Sequence, residues 1–144
     1  WAIVLALTSN PGANDFQLLN LKEQEGPLFE QVMKTCTKWG SPDSLMFVVG
    51  ATRPEQFTEV RRILPDHFLL VPGVGAQGGD LRAVSRSGMN STCGLLVNSS
   101  RQIIYASNGP DFAEKARAEA LKVQQEMEQL FRSMMPQRPH VFIG

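Results

Sequence analysis

Val71–Asp80 reads VPGVGAQGGD and follows directly on the apolar run Phe68-Leu69-Leu70. Four of its ten residues are glycine and one is glutamine. Glycine loses more conformational freedom on folding than any other residue, so such a loop is expected where backbone must turn sharply or approach a ligand closely. Gln77 is the long polar side chain in this loop, and a flexible amide flanked by Ala76 and Gly78 has little packing use there.

Short apolar runs alternate with amphipathic stretches on both sides of this loop, the pattern of parallel βα units. Ala2 to Leu7 is apolar throughout and is expected to be a strand covered on both faces. A helix is predicted from about Pro27 to Trp39, with Leu28, Phe29, Val32, Met33 and Cys36 at three-to-four spacing and Gly40 ending it. The second strand is expected at about Leu45 to Val49. Thr52-Arg53-Pro54-Glu55 then has the form of a capping box with proline in the first turn, opening a helix to about Leu64.

Phe68 to Val71 forms the third strand, and Asp80 can cap a short helix ending near Gly88. A fourth strand is expected at about Gly94 to Val97, then a short apolar piece from Ile103 to Tyr105. A long helix from about Pro110 to Ser133 carries a stripe of Phe112, Ala116, Ala120, Val123, Met127 and Leu130 that is expected to be core or subunit packing. Residues from about 134 to 144 are expected to form a tail. The whole makes one α/β domain of four βα units, either an open doubly wound sheet or part of a barrel.

In both architectures function gathers at the carboxyl ends of the strands, which fixes four loops: Thr8–Gly12, Gly50–Arg53, Pro72–Asp80 and Asn98–Arg101. The third is glycine-rich and the fourth ends in arginine. Glycines bring main-chain N–H groups close to an anion, and the guanidinium fork suits phosphate oxygens. The two loops together suggest a phosphate cradle. The glycine order of Gly73, Gly75, Gly78 and Gly79 is neither that of a dinucleotide-binding turn nor that of a P-loop.

Composition narrows the classes. With 14 basic and 14 acidic residues, no polyanion-coating surface is expected and hence no nucleic-acid partner. No apolar run approaches the ~18 residues of a membrane span, so a soluble, membrane-free chain is expected. Cys36 and Cys93 stand far apart without partners at metal-ligand spacing, which suggests a reducing, cytoplasmic setting and no metal site. His67 is expected to be structural or exposed, and His140 to lie exposed in the tail. Asp15, Asp43, Asp66 and Asp111 read as turn and cap residues, and Arg53 as a surface residue at a helix start.

PGVGAQGG after an apolar strand, preceded by Thr-Ser-Asn-Pro-Gly and Val-Gly-Ala-Thr-Arg-Pro-Glu and followed by Asn-Ser-Ser-Arg with Ile-Ile-Tyr-Ala, resembles the orotidine 5'-phosphate decarboxylase family. The likeness is to its bacterial branch and covers about residues 2 to 130. It implies a (β/α)8 barrel of which this chain supplies the fifth to eighth strands, with no metal or organic cofactor. Ser9 would hydrogen-bond the pyrimidine, and Pro72 would line the pocket beside the departing carboxylate. Gln77 would span phosphate and base, while Arg101 would grip phosphate, with Gly79 and the Ser100 and Arg101 amides nearby.

The family's acid–base array, an Asp-x-Lys-x-x-Asp sequence at the third barrel strand, has no counterpart here. The chain also opens on Trp1-Ala2-Ile3, as if entered within a strand. A fragment is therefore expected, inactive alone, whose partners are orotidine 5'-phosphate or uridine 5'-phosphate, a missing N-terminal half barrel upstream of Trp1, and a second subunit in a homodimer. A half barrel with two unpaired edges and an open inner layer is expected to be unstable by itself. A non-catalytic phosphate-binding module and another sugar-phosphate barrel enzyme remain as alternatives.

Overall fold

The computed structural model describes residues 1–75 and 77–134. Ala76 in the glycine loop and the expected tail beyond Met134, including His140, lie outside the described residues. Four strands, β1 (Ala2–Leu7), β2 (Leu45–Val49), β3 (Phe68–Pro72) and β4 (Leu95–Asn98), form one sheet in the order β1-β2-β3-β4. Every pairing is parallel. Between and after them run α1 (Leu28–Cys36), α2 (Gln56–Ile63), α3 (Leu81–Gly88), α4 (Ser100–Ile104) and α5 (Phe112–Met134).

One face of the sheet makes the core. Phe47, Val49, Leu69 and Val71 are fully buried there against Phe29 and Met33 of α1, Phe57 and Val60 of α2, and Val84 of α3. The opposite face is apolar and bare. Leu5, Val48, Leu70 and Leu96 share one register row across all four strands, yet Leu5 is 64% and Leu96 50% exposed. Ile3 on the same face is 53% exposed. The expectation that β1 is covered on both faces therefore fails, because the helices lie on one side only and β1 is an edge strand.

Four local expectations also change. Thr52 does not cap α2: the N-cap is Glu55 without a side-chain bond, and the Thr52 hydroxyl donates instead to the Ser9 carbonyl at 3.2 Å. The α1 helix ends at Cys36, and the chain continues to Gly40 as a tightened turn in which Lys38 N–H bonds the Thr35 carbonyl. Ile103 and Ile104 belong to α4. In α5 the stripe holds at Ala116, Ala120, Val123 and Met127, which are half-buried, and at buried Leu130, but Phe112 is 61% exposed. That helix ends the layer and packs chiefly on α4 and α3.

Beneath the sheet, at the amino ends of the strands, Arg61 from α2 is half-buried and donates to four carbonyls. They are Gly88 at 2.5 Å, His67 at 2.7 Å, Gly94 at 2.8 Å and Leu64 at 2.9 Å. Burial lowers its pKa to about 10. His67 is buried beside it, edge-on to Phe47 at 5.5 Å, and both ring nitrogens lack a partner among the described residues. Of the two expectations for it, exposure therefore fails.

Candidate functional site

The four loops at the carboxyl ends of the strands are knitted together by backbone. Gly50 N–H donates to the Leu7 carbonyl at 2.9 Å, joining the first loop to the second. Ala51 N–H donates to the Pro72 carbonyl at 2.9 Å, joining the second to the third. The Ser99 hydroxyl donates to the Val74 carbonyl at 3.0 Å, joining the third to the fourth. Parallel register dictates this: Pro72 and Asn98, the last residues of β3 and β4, are paired, so their loops leave side by side.

The glycine loop folds back upon itself. Gly79 N–H bonds the Gly73 carbonyl at 3.0 Å, Gly75 N–H the Gly79 carbonyl at 3.1 Å, and Gly78 N–H the Gly75 carbonyl at 2.8 Å. Gly73 has φ +96°, Gly75 +76° and Gly78 +86°, a left-handed region costly for other residues. Gly79 is excluded from bearing a side chain by space instead, since a Cβ there would lie 2.5 Å from that of Ala51.

Between this loop and the next lies a cleft of about 50 Å³. Pro72, Gly73, Val74 and Gln77 form one wall, and Asn98, Ser99, Ser100 and Arg101 the other. Of the residues expected in a site, Pro72, Gln77, Ser100 and Arg101 thus meet at one place. Gly79 is behind the wall, its amide engaged with Gly73. Gln77, Ser100 and Arg101 are exposed, and Ser100 donates to Asn98 Oδ1 at 2.7 Å.

Ser9 sits on the far side of Gly73. A Cβ placed on Gly73 would lie 3.1 Å from Ser9 Oγ and 3.5 Å from Gln77 Oε1, so the two polar groups flank the same backbone. Ser9 Oγ is buried and has no hydrogen-bond partner among the described residues. Leaving a buried hydroxyl unpaired costs about 1–3 kcal/mol, and such an atom asks for an explanation. It is held there firmly: a Cβ on Gly50 would come within 2.2 Å of it. Ser9 and Gln77 thus flank Gly73, and Gln77 and Arg101 line the same cleft.

Asn98 and Ser99 escaped sequence reasoning, although the alternation of β4 carried the signal. Leu96 and Asn98 are both exposed, on the same face, whereas Ser99 turns inward and is buried. Thr52 and Gln102 gave no such signal, because both act through bonds to distant segments. Among the described residues, no group of three His, Cys, Asp or Glu side chains could hold a metal ion.

None of the protein-family models matches the chain. It is 60% identical over 131 residues to an orotidine 5'-phosphate decarboxylase of Flavobacterium johnsoniae, covering 91% of this chain and 47% of that protein. Against that of Bacteroides fragilis it is 51% identical over 135 residues, 94% of this chain and 49% of the other. A solved orotidine-monophosphate-decarboxylase structure from Toxoplasma gondii superposes with a TM-score of 0.71 at 30% identity, covering 92% of this chain and 52% of that one. The UMP synthase structure from Leishmania donovani gives 0.69 at 34% identity, over 85% and 27% of the two chains. The chain spans about half the length of the curated relatives it matches. By sequence and by fold alike, this chain is homologous to about half of an orotidine 5'-phosphate decarboxylase, and its four βα units form part of a (β/α)8 barrel.

Proposed function

We propose that the polypeptide carrying this chain is an orotidine 5'-phosphate decarboxylase, and that residues 1–144 contribute its phosphate- and base-binding half. The observation that carries this is the cleft where the glycine loop meets Ser100 and Arg101, with Gln77 between it and the unpartnered Ser9 hydroxyl. A phosphate at the loops after the last two strands is the common arrangement in such barrels. Arg101 and the Ser100 and Arg101 amides hold the phosphate, with Gly79 shaping the loop around it. Gln77 joins phosphate to pyrimidine, Ser9 bonds the ring, and Pro72 faces the carboxylate that departs.

In the reaction, the bond between C6 of the orotate ring and its carboxylate breaks, carbon dioxide leaves, and the electron pair stays on C6. A lysine ammonium outside this chain, set among aspartates, stabilises that carbanion and then protonates it. Binding energy at the remote phosphate is realised at the reacting carbon, so residues that never touch the breaking bond still lower the barrier. No helix among the described residues is long and apolar enough to cross a membrane. A cytoplasmic homodimer, without metal or organic cofactor, is part of the proposal.

The relatives bear one enzymatic name, which leaves the alternatives of a non-catalytic module or a different sugar-phosphate enzyme without support. The test is release of carbon dioxide from orotidine 5'-phosphate by the full-length polypeptide, beside the 144-residue chain alone. Turnover by the first and none by the second is expected. An inactive full-length polypeptide would remove the assignment, and turnover by the isolated chain would show that the acid–base groups lie within it.

A further inference from the structure

The glycine loop is built from residues that tolerate many backbone conformations, so something outside it must choose one. Gln102, in α4, stands where that choice can be made. A Cβ on Gly75 would lie 2.0 Å from Gln102 Oε1 and 3.4 Å from Ser99 Oγ, so both side chains are packed against the loop's backbone. The buried Ser99 hydroxyl shares its proton between the Val74 carbonyl at 3.0 Å and Gln102 Oε1 at 3.2 Å. Gln102 is turned to present that oxygen by its other end, whose Nε2 donates to Glu119 Oε2 at 3.0 Å. Glu119, on α5, is itself bonded by Lys122.

These contacts make an unbroken polar strap from the long outer helix to the loop: Lys122, Glu119, Gln102, Ser99, Val74. Each link orients the next. Lys122 and then Gln102 hold the Glu119 carboxyl below its ordinary range, so it is an acceptor at neutral pH and fixes which end of the Gln102 amide faces the loop. Of the strap, Ser99 and Val74 line the ligand cleft, while Gln102, Glu119 and Lys122 stand behind it.

We propose that Gln102, oriented by Glu119, is a positioning residue that holds the Val74–Gly75 backbone in the shape that receives the ligand's phosphate. It rests on the phosphate reading of the cleft. A residue holding the loop this way affects ligands that have a phosphate and spares those that do not.

The experiment compares uridine 5'-phosphate with uridine by calorimetry on the full-length polypeptide. Gln102→Ala is expected to weaken the nucleotide about tenfold, the loss of one hydrogen bond and its packing, and the nucleoside by less than about twofold. Gln102→Glu sets two carboxylates against each other and is expected to do the same. Adding Glu119→Gln to it restores a donor–acceptor pair with the donor on the other side, and nucleotide affinity is expected to return to within about threefold of the parent. Equal losses for both ligands, or no loss, would overturn the proposal, as would failure of the exchanged pair to recover.

Amide hydrogen exchange gives a second reading that needs no ligand. The milder Glu119→Gln variant is expected to speed exchange at Gly75, Gly78 and Gly79 with the core strands unchanged; unaltered loop exchange would count against the strap. Arg101→Ala serves as the control. If it does not separate nucleotide from nucleoside, the phosphate cradle itself is wrong; if it does and Gln102→Ala does not, only the strap is.

Discussion

Ser9 is the residue where structure and chemistry disagree most usefully. Its hydroxyl is buried without a partner while its carbonyl is fixed by Thr52, an arrangement that makes the free molecule less stable than it could be. Ser9→Ala is accordingly expected to leave the melting temperature of the full-length polypeptide unchanged or raised. Affinity for uridine 5'-phosphate should fall by about 1–3 kcal/mol in the same variant. A destabilised protein with intact affinity would mean that Ser9 is a structural residue.

His67 makes a second case at this scale. Burial lowers its pKa below 6.5, with Arg61 lowering it further and Asp66 opposing. The unfolded chain takes up a proton near pH 6.5 while the native one resists, so the contribution to stability is full above that pH and is lost as pH falls through the window below it. Melting curves between pH 7.5 and 5 should show this slope, and His67→Leu should flatten it. A parallel slope in the variant would assign the effect elsewhere.

At the scale of elements, the strands and helices were legible because their signals are local. The β2 strand is where LMFVV placed it, and Asp80 caps α3, accepting from the Arg82 and Ala83 amides at 2.8 and 3.2 Å. Asp80→Ala is expected to cost about 0.5–2 kcal/mol, read as a lower denaturation midpoint at unchanged slope. No change in midpoint would show that the glycine loop, and not the cap, fixes where α3 begins. Thr52 shows where local signals fail: it has the spacing of a capping box, but the neighbouring loop offers its hydroxyl a tertiary acceptor. The short α4 helix was likewise missed, five residues being too few to display a period.

Across the whole molecule, the apolar run Ala2–Leu7 suggested a strand covered on both faces whereas the half-barrel reading left an inner layer open, and the fold covers one face only. Leu5, Ile3 and Leu96 lie open on the other, where each forgoes about half or more of the ~1.5–3 kcal/mol that full burial would supply. A matching span of about half the relatives' length accounts for the bare face: the remaining strands of a barrel would cover it. The loops that line the candidate cleft were legible from the glycines and the arginine. The ties that assemble them were not, since Ser99 to Val74 and Thr52 to Ser9 are contacts between segments far apart in the chain.

The central claim, that this half of the fold receives the phosphate of a pyrimidine nucleotide, is tested most directly at Arg101. Calorimetry with full-length polypeptide and its Arg101→Ala variant should show uridine 5'-phosphate binding weakened by about 1.5–3 kcal/mol, a charged hydrogen bond's worth, and uridine binding unaltered. Unchanged affinity for the nucleotide would contradict it.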